Sequence, residues 1–104
     1  MDKNQLLKQV KTAVLEIEPL ATVILYGSRS RGDASAESDW DFLVLVDGQL
    51  NDNRIAGIRD QVYEIEWECC EVLSAIIRSN EQWNSPLYKA MPFHANVEQE
   101  GIVL

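Results

Sequence analysis

The sequence predicts a mixed α/β (α+β) fold, in which helices pack against a small mixed β-sheet. Two observations lead to this prediction. Apolar residues recur at helical spacing near the start of the chain and again beyond residue 51. Three short runs, residues 21–26, 42–46 and 72–77, are instead nearly continuous in apolar residues, as expected of strands that are covered on both faces.

The first half of the chain contains one predicted helix and two predicted strands. Asn4 to Ile17 has an apolar stripe on one face and lysine and glutamate on the other, and Pro19 ends this helix. Ala21 to Tyr26 is the first predicted strand. The second comes after a polar arm and runs through Phe42 to Val46.

The second half begins with a turn at residues 47–48, after which Asn51 or Asp52 caps a helix that extends to about Ile65. Residues 63–68 alternate polar and apolar side chains, so a strand could also begin there. The core face of this helix is predicted to consist of Ile55, Ile58, Val62 and Ile65.

The rest of the chain contains a third strand and shorter helical segments. The strand is Val72 to Ile77, and Ser79 or Asn80 starts a helical segment that includes Trp83. Two prolines, at 86 and 92, divide the last fifth of the chain into a turn and a short last helix, and residues 101–104 are expected to pack back against the body.

Composition limits the classes of function. A chain of 104 residues fits one domain, residues 1–104, and 46% hydrophobic with 25% charged residues is typical of a globular protein. Nine basic and seventeen acidic residues give a net charge of −8, which makes a nucleic-acid partner unlikely but suits a nucleoside triphosphate with its metal or a basic protein.

The cysteines and the start of the chain indicate a cellular compartment. Cys69 and Cys70 are adjacent, which disfavours a mutual disulfide, and buried free thiols are expected. No signal-peptide pattern or membrane-length apolar run is evident, so we expect a cytoplasmic protein.

The functional residues are predicted to cluster between the first two strands. Asp39 and Asp41 are two apart, so on a strand both carboxylates face the same way, and hard oxygen ligands of this kind suit Mg²⁺. Gly27 allows the backbone to approach a phosphate, and Ser28 can cap a short helix through residues 29–34. Arg31, and with it Arg29, adds positive charge that matches phosphate oxygens.

These residues resemble a known signature. Gly27-Ser28, ten residues, then Asp39-Trp40-Asp41 is similar to the Gly-Ser-x10-Asp-x-Asp pattern of polymerase-beta-type nucleotidyltransferases, and the chain resembles the minimal nucleotidyltransferases of this superfamily. The resemblance implies a polymerase-beta-like core, Mg²⁺ on Asp39 and Asp41, and ATP as nucleotide donor. It also implies that Gly27, Ser28, Arg31 and Ser38 bind the nucleotide. In its plainer interpretation, Ser38 is a turn residue that caps the entry to the strand.

The resemblance further implies a third carboxylate on the next strand. The best match there is Ser74, which cannot act as a base at neutral pH, whereas Glu71 is the nearest acid and is our candidate third catalytic residue. Glu66 and Glu68 lie further back. Three interpretations therefore stay open: Glu71 or Glu68 substitutes, the protein is a slow transferase that needs its partner, or it binds nucleotide without turnover.

Other conspicuous residues have plainer interpretations. Trp40 should point away from the aspartates into the core. Trp67 and Trp83 are expected in the core or on a partner surface, and His94, the only histidine, in a structural or surface position.

The resemblance leads to two main functional hypotheses. The first is transfer of AMP from ATP to a hydroxyl of a partner protein, in an antitoxin-like role beside a HEPN-type protein. The second is a catalytically weak or inactive subunit that neutralises a HEPN toxin by contact. Transfer to a small molecule such as an aminoglycoside is less favoured, because 104 residues leave little room for an extra helical domain.

Overall fold

The structure, a computed structural model, describes residues 2–32 and 38–104. Within these residues the mixed α+β prediction is confirmed, and no helix of this part is long and apolar enough to cross a membrane. The elements are α1 Lys3–Ile17, β1 Thr22–Tyr26, α2 Ser28–Arg31, β2 Trp40–Val46, α3 Asp52–Cys69, β3 Leu73–Ser79, α4 Asn80–Trp83, α5 Pro86–Lys89, α6 Pro92–Glu100 and β4 Ile102–Val103.

The four strands form one mixed sheet in the order β3-β2-β1-β4. β2 runs parallel to β3, whereas β1 is antiparallel to β2 and to β4. α3 connects the two parallel strands, as a parallel pair requires a crossover connection. Ile102 and Val103 pair with β1, which confirms that the last residues pack back against the body.

The two faces of the sheet are covered by different helices, because side chains alternate along β2. Trp40 and Phe42 belong to the face that packs on α1 and α3, whereas Leu43 and Leu45 pack with Trp83 on the opposite face. The buried position of Trp40, which is 4% exposed, confirms its predicted core role. Asp41 lies between Trp40 and Phe42, so its side chain belongs to the second face.

The helices follow their sequence signals, with one correction. Asn51 caps α3, since its side-chain oxygen accepts a hydrogen bond from the backbone N–H of Arg54 at 2.9 Å. The core stripe of Ile58, Val62 and Ile65 is confirmed. The helix then continues to Cys69, so a strand over residues 63–68 is wrong: Cys69 also packs against the core, one helical turn after Ile65.

The cysteine prediction is correct only in part. Both thiols are free, and Cys69 is half-buried. Cys70 is exposed, because it ends α3 in the left-handed conformation with φ of 57°. His94 is buried and stacks on Trp83 with ring centroids 4.3 Å apart, in agreement with a structural role.

Candidate functional site

The predicted site lies at the end of the sheet where β1 ends and where β2 and β3 begin. In the strand pairing, Tyr26 is opposite Asp41, and Asp41 is opposite Ser74. Paired residues of neighbouring strands present their side chains on the same face. Three strands therefore bring Tyr26, Asp41 and Ser74 into one row.

The two aspartates lie close together at the start of β2. Asp39 is exposed and directly precedes the strand, and Asp41 is half-buried. Burial raises the pKa of the Asp41 carboxyl above its ordinary value, and the negative charge of Asp39 raises this pKa further. The pair is therefore crowded with negative charge, a condition that a bound cation relieves.

Gly27 lies against Asp41 and has to be glycine for two reasons. Its φ of 77° is in the region that side chains disfavour, and a Cβ atom built on it would be 2.5 Å from Oδ2 of Asp41. The backbone at the end of β1 thus passes directly beside the carboxylate. Such a close approach leaves no room for a side chain between the end of β1 and this carboxylate.

The short helix α2 differs from its prediction by one residue. It begins at Ser28, and Gly27 occupies the N-cap position without a side-chain cap, so the prediction that Ser28 is the cap is wrong. The reason is the positive φ of Gly27, which turns the chain one residue earlier. α2 ends at Arg31, Gly32 comes next in the left-handed conformation, and the last residues of the predicted helix, 33 and 34, lie outside the described residues.

The two arginines of α2 have defined protein contacts. Arg29 donates from Nε and Nη2 to the backbone oxygen of Ser38, at 3.3 and 2.9 Å, and its guanidinium lies 4.3 Å above the Trp40 ring. It therefore fastens α2 to the start of β2. Arg31 donates to Glu100 of α6 at 3.0 Å, in a partly exposed ion pair.

Ser74, rather than an acid, stands beside Asp41, and its side chain is exposed. Glu71 instead lies 3.4 Å from Nε1 of Trp40 and 3.8 Å from Arg29. Because Trp40 belongs to the opposite face, this placement does not bring Glu71 to the aspartates. Among residues 2–32 and 38–104, no three His, Cys, Asp or Glu side chains are grouped so that they could hold a metal.

The other two candidate acids also have partners elsewhere. Glu66 accepts the backbone N–H of Leu73 at 2.9 Å, which joins the end of α3 to the start of β3. Glu68 accepts from the side chain of Gln9 in α1 at 2.5 Å. Both side chains connect secondary-structure elements.

Tyr26 is a site residue that the sequence analysis treated only as the end of a strand. Burial raises the pKa of its hydroxyl, and the charge of Asp41 raises it further. Its ring packs edge-on against Phe93 of α6, with centroids 5.3 Å apart. The signal was its position directly before Gly27, which places it opposite Asp41 once β1 and β2 pair as antiparallel neighbours.

Comparison with known proteins agrees with this geometry. A protein of Methanocaldococcus jannaschii named "Putative protein adenylyltransferase" is 34% identical over 82 residues, which cover 79% of this chain and 75% of that protein. The crystal structure of a toxin–antitoxin with AMP-PNP has a similar fold, with a TM-score of 0.60 and 16% identity over 99% of this chain and 72% of that one.

A family model shows which part of the chain belongs to a known family. The model described as "Nucleotidyltransferase domain" matches residues 7–89, a range that contains the whole site from Tyr26 to Ser74 and most of the sheet. We conclude that the chain belongs to the nucleotidyltransferase domain family and is a nucleotidyltransferase.

Proposed function

We propose that this protein transfers AMP from ATP, with Mg²⁺, to a hydroxyl group of a partner protein. The observation that carries the proposal is the contact of Gly27 with Asp41. It places bare backbone, which suits phosphate oxygens, beside a carboxylate pair that suits a divalent cation. The name of the archaeal relative supports protein as the acceptor, and the AMP-PNP of the toxin–antitoxin structure supports an adenine nucleotide.

The residues of this chain would divide the work of binding the metal and the nucleotide. Asp39 and Asp41 would hold Mg²⁺, which supplies charge neutralisation for the triphosphate. Gly27 and Ser28 would place backbone N–H groups against phosphate oxygens, with Ser38 at the entry to β2. Arg31 would contribute positive charge from α2, in competition with its ion pair to Glu100.

The transfer itself is a substitution at the α-phosphorus. The acceptor oxygen forms a new bond to phosphorus, the bond to the β-phosphate bridging oxygen breaks, and pyrophosphate leaves with the electron pair. The hydroxyl proton must pass to a base. Because Ser74 stands beside Asp41, we assign this base to the partner or to solvent, and we favour a slow transferase that depends on its partner.

The partner is proposed to be a HEPN-type toxin that this protein restrains. The proposal is tested by incubating the protein with ATP labelled in the α-phosphate, Mg²⁺ and the product of the neighbouring gene. We expect label on that product and its loss with Asp39→Asn, Asp41→Asn or with EDTA. The charge-matched control Glu16→Gln, Glu81→Gln should retain labelling, because both residues are exposed, Glu16 on α1 and Glu81 on α4, which follows the end of β3 opposite the site. No label under any metal condition would overturn the proposal.

A second candidate function is neutralisation of a toxin by binding alone, without chemical modification. The net charge of −8 favours it, because an acidic protein can cover a basic nuclease surface. Coexpression of toxin with the Asp39→Asn, Asp41→Asn variant separates the two. Cells that survive as well as with the unaltered protein would establish contact as sufficient, whereas restored toxicity supports modification.

A further inference from the structure

The outer face of α3 exposes two aromatic side chains that the site does not use. Tyr63 is 58% exposed and Trp67 73% exposed, whereas Trp40 and Trp83 are each 4% exposed. The two rings meet edge-on with centroids 6.2 Å apart. Tyrosine and tryptophan exposed as a pair are characteristic of protein-binding surfaces, where they supply much of the affinity.

These aromatic residues line a continuous depression that reaches β3. One hollow of about 210 Å³ is bounded by Tyr63, Glu66, Trp67 and Cys70, which recur at helical spacing on α3. A second, of about 290 Å³, shares two of these side chains and extends along β3. We call the combined depression, from Cys70 at the end of α3 to Ser74 on β3, the aromatic groove.

The aromatic groove ends at the free edge of β3, the strand next to Asp41. Ser74 lines the groove and is also the strand partner of Asp41, on the outermost strand at that side of the described sheet. Neighbouring strands are roughly 4.8 Å apart. Because α3 covers the face of the sheet opposite Asp41, a polypeptide in the groove presents a hydroxyl to the aspartates by crossing the free edge of β3 at Ser74.

The charge around the groove defines its occupant. Residues 59–71 contain five acids and one arginine. Glu66 lines both hollows and Arg59 lines the second, while Asp60 and Glu64 are exposed on the same helix. An aromatic pair within an acidic surface attracts Lys and Arg side chains, through ionic contacts at the rim and through cation–π contacts with the rings.

We propose that the aromatic groove docks a basic segment of the acceptor protein, in which lysine or arginine flanks the residue whose hydroxyl is modified. This inference rests on the proposed function, and it names the chemistry of the acceptor. It also explains how a small transferase without an acid at position 74 gains its acceptor: the segment is held on α3, and its continuation across the edge of β3 brings the hydroxyl to Asp41.

The test measures binding without ATP, so that it is independent of catalysis. The probe is a dye-labelled random copolymer of lysine and tyrosine, titrated with the unaltered protein, with Tyr63→Ala, Trp67→Ala, and with the control Leu87→Ala. Leu87 is 74% exposed on α5 and lines neither hollow of the groove. All three proteins keep the same charge. We expect the Tyr63→Ala, Trp67→Ala variant to bind at least tenfold more weakly, and Leu87→Ala to bind like the unaltered protein.

Equal binding by all three proteins would overturn the groove as the binding site, since binding of the copolymer would then depend on net charge alone. Equally tight binding of a glutamate–tyrosine copolymer would overturn the proposal that the groove prefers a basic segment. A dimer that Tyr63→Ala, Trp67→Ala converts to monomer would assign the groove to a second copy instead. Calorimetry with Mg²⁺ and ATP on the same samples reports separately on the nucleotide site, whose failure would count against the proposed function alone.

Discussion

At the scale of single residues, the closest packing in the site is between Gly27 and Asp41. We predict that Gly27→Ala abolishes nucleotide binding, because the new Cβ would collide with Oδ2 of Asp41 at 2.5 Å. Gly32 provides a control for positive φ: its φ of 80° and ψ of 9° are left-handed helical, and nothing lies within 4 Å of the added carbon. Gly32→Ala should cost about 1–2 kcal/mol of unfolding free energy from the backbone alone, and Gly27→Ala more, because its ψ of −160° lies in a region that is nearly restricted to glycine.

Urea unfolding and calorimetric titration with ATP and Mg²⁺ check this pair of variants. Gly32→Ala should be destabilised but still bind nucleotide. If Gly32→Ala lost binding as completely as Gly27→Ala, backbone strain in α2 rather than the contact with Asp41 would be responsible.

The Asp41 carboxylate is predicted to make the folded protein less stable in the absence of metal. Its pKa is raised by burial and by Asp39, so the folded protein binds the Asp41 proton more tightly than the unfolded chain does. Stability from this group is present at low pH and is lost as pH rises through the raised pKa. Asp41→Asn should therefore raise the unfolding free energy at pH 7 in EDTA, by less than about 1 kcal/mol because water screens this half-exposed carboxylate, while abolishing activity.

Thermal unfolding at several pH values measures the effect, and Glu18 gives the opposite sign. A hydrogen bond from Arg54 lowers the pKa of Glu18, so its stabilisation is present above the ordinary glutamate pKa and is lost as pH falls through the lowered value. Glu18→Gln should destabilise the protein at pH 7. A lower melting temperature for Asp41→Asn at pH 7 would contradict the charge-crowding account.

At the scale of elements, the sequence was informative wherever local signals determine the structure. The apolar stripe of Ile58, Val62 and Ile65 predicted α3, and the spacing of Asp39 and Asp41 predicted that their charges would interact. The end of α3 was not predictable, because residues 63–68 alternate in polarity and only tertiary packing of Cys69 decides for a helix. The exposure of Trp67 likewise depends on which helix face meets the sheet.

The pairing of β2 with β3 yields a prediction about activity. Ser74→Asp would restore an acid opposite Asp41, in the position where the family resemblance expects one. We predict that transfer of AMP to the acceptor accelerates at least tenfold, because a positioned base contributes about 10²–10⁴ in rate. Ser74→Asn is the control of equal size without the charge. Rates are measured with ATP labelled in the α-phosphate; equal rates for both variants would show that no base is missing at this position.

At the scale of the whole molecule, the two faces of the sheet have different roles. The face toward α1 and α3 contains most of the core. On the opposite face, Leu43 packs with Trp83 in a smaller apolar cluster, and Asp41 forms the polar end of that face. α6 and β4 fold back beside β1, and Glu100 ties α6 to Arg31. Elements distant in sequence therefore meet beside β1. The return of residues 101–104 was predicted, but their pairing with β1 and the ion pair of Glu100 with Arg31 were not readable from local patterns.

The distribution of charge determines whether the protein binds polyanions such as RNA. Net charge is −8, and several arginines are engaged by acids: Arg29 by Glu71, Arg31 by Glu100 and Arg54 by Glu18. We predict that a single-stranded RNA of about 20 nucleotides does not bind measurably at physiological salt, because phosphate contacts require a cationic surface, and even non-specific binders reach a Kd of roughly 10⁻⁴–10⁻⁶ M by that route. Fluorescence anisotropy at low and at physiological salt measures RNA binding, with ATP and Mg²⁺ titrated in the same buffer as the positive control.

RNA affinity that rises steeply as salt is lowered would reveal a cationic surface and would make a polynucleotide acceptor the better hypothesis. Retained binding of the metal–nucleotide complex without RNA binding would leave a protein hydroxyl as the favoured acceptor.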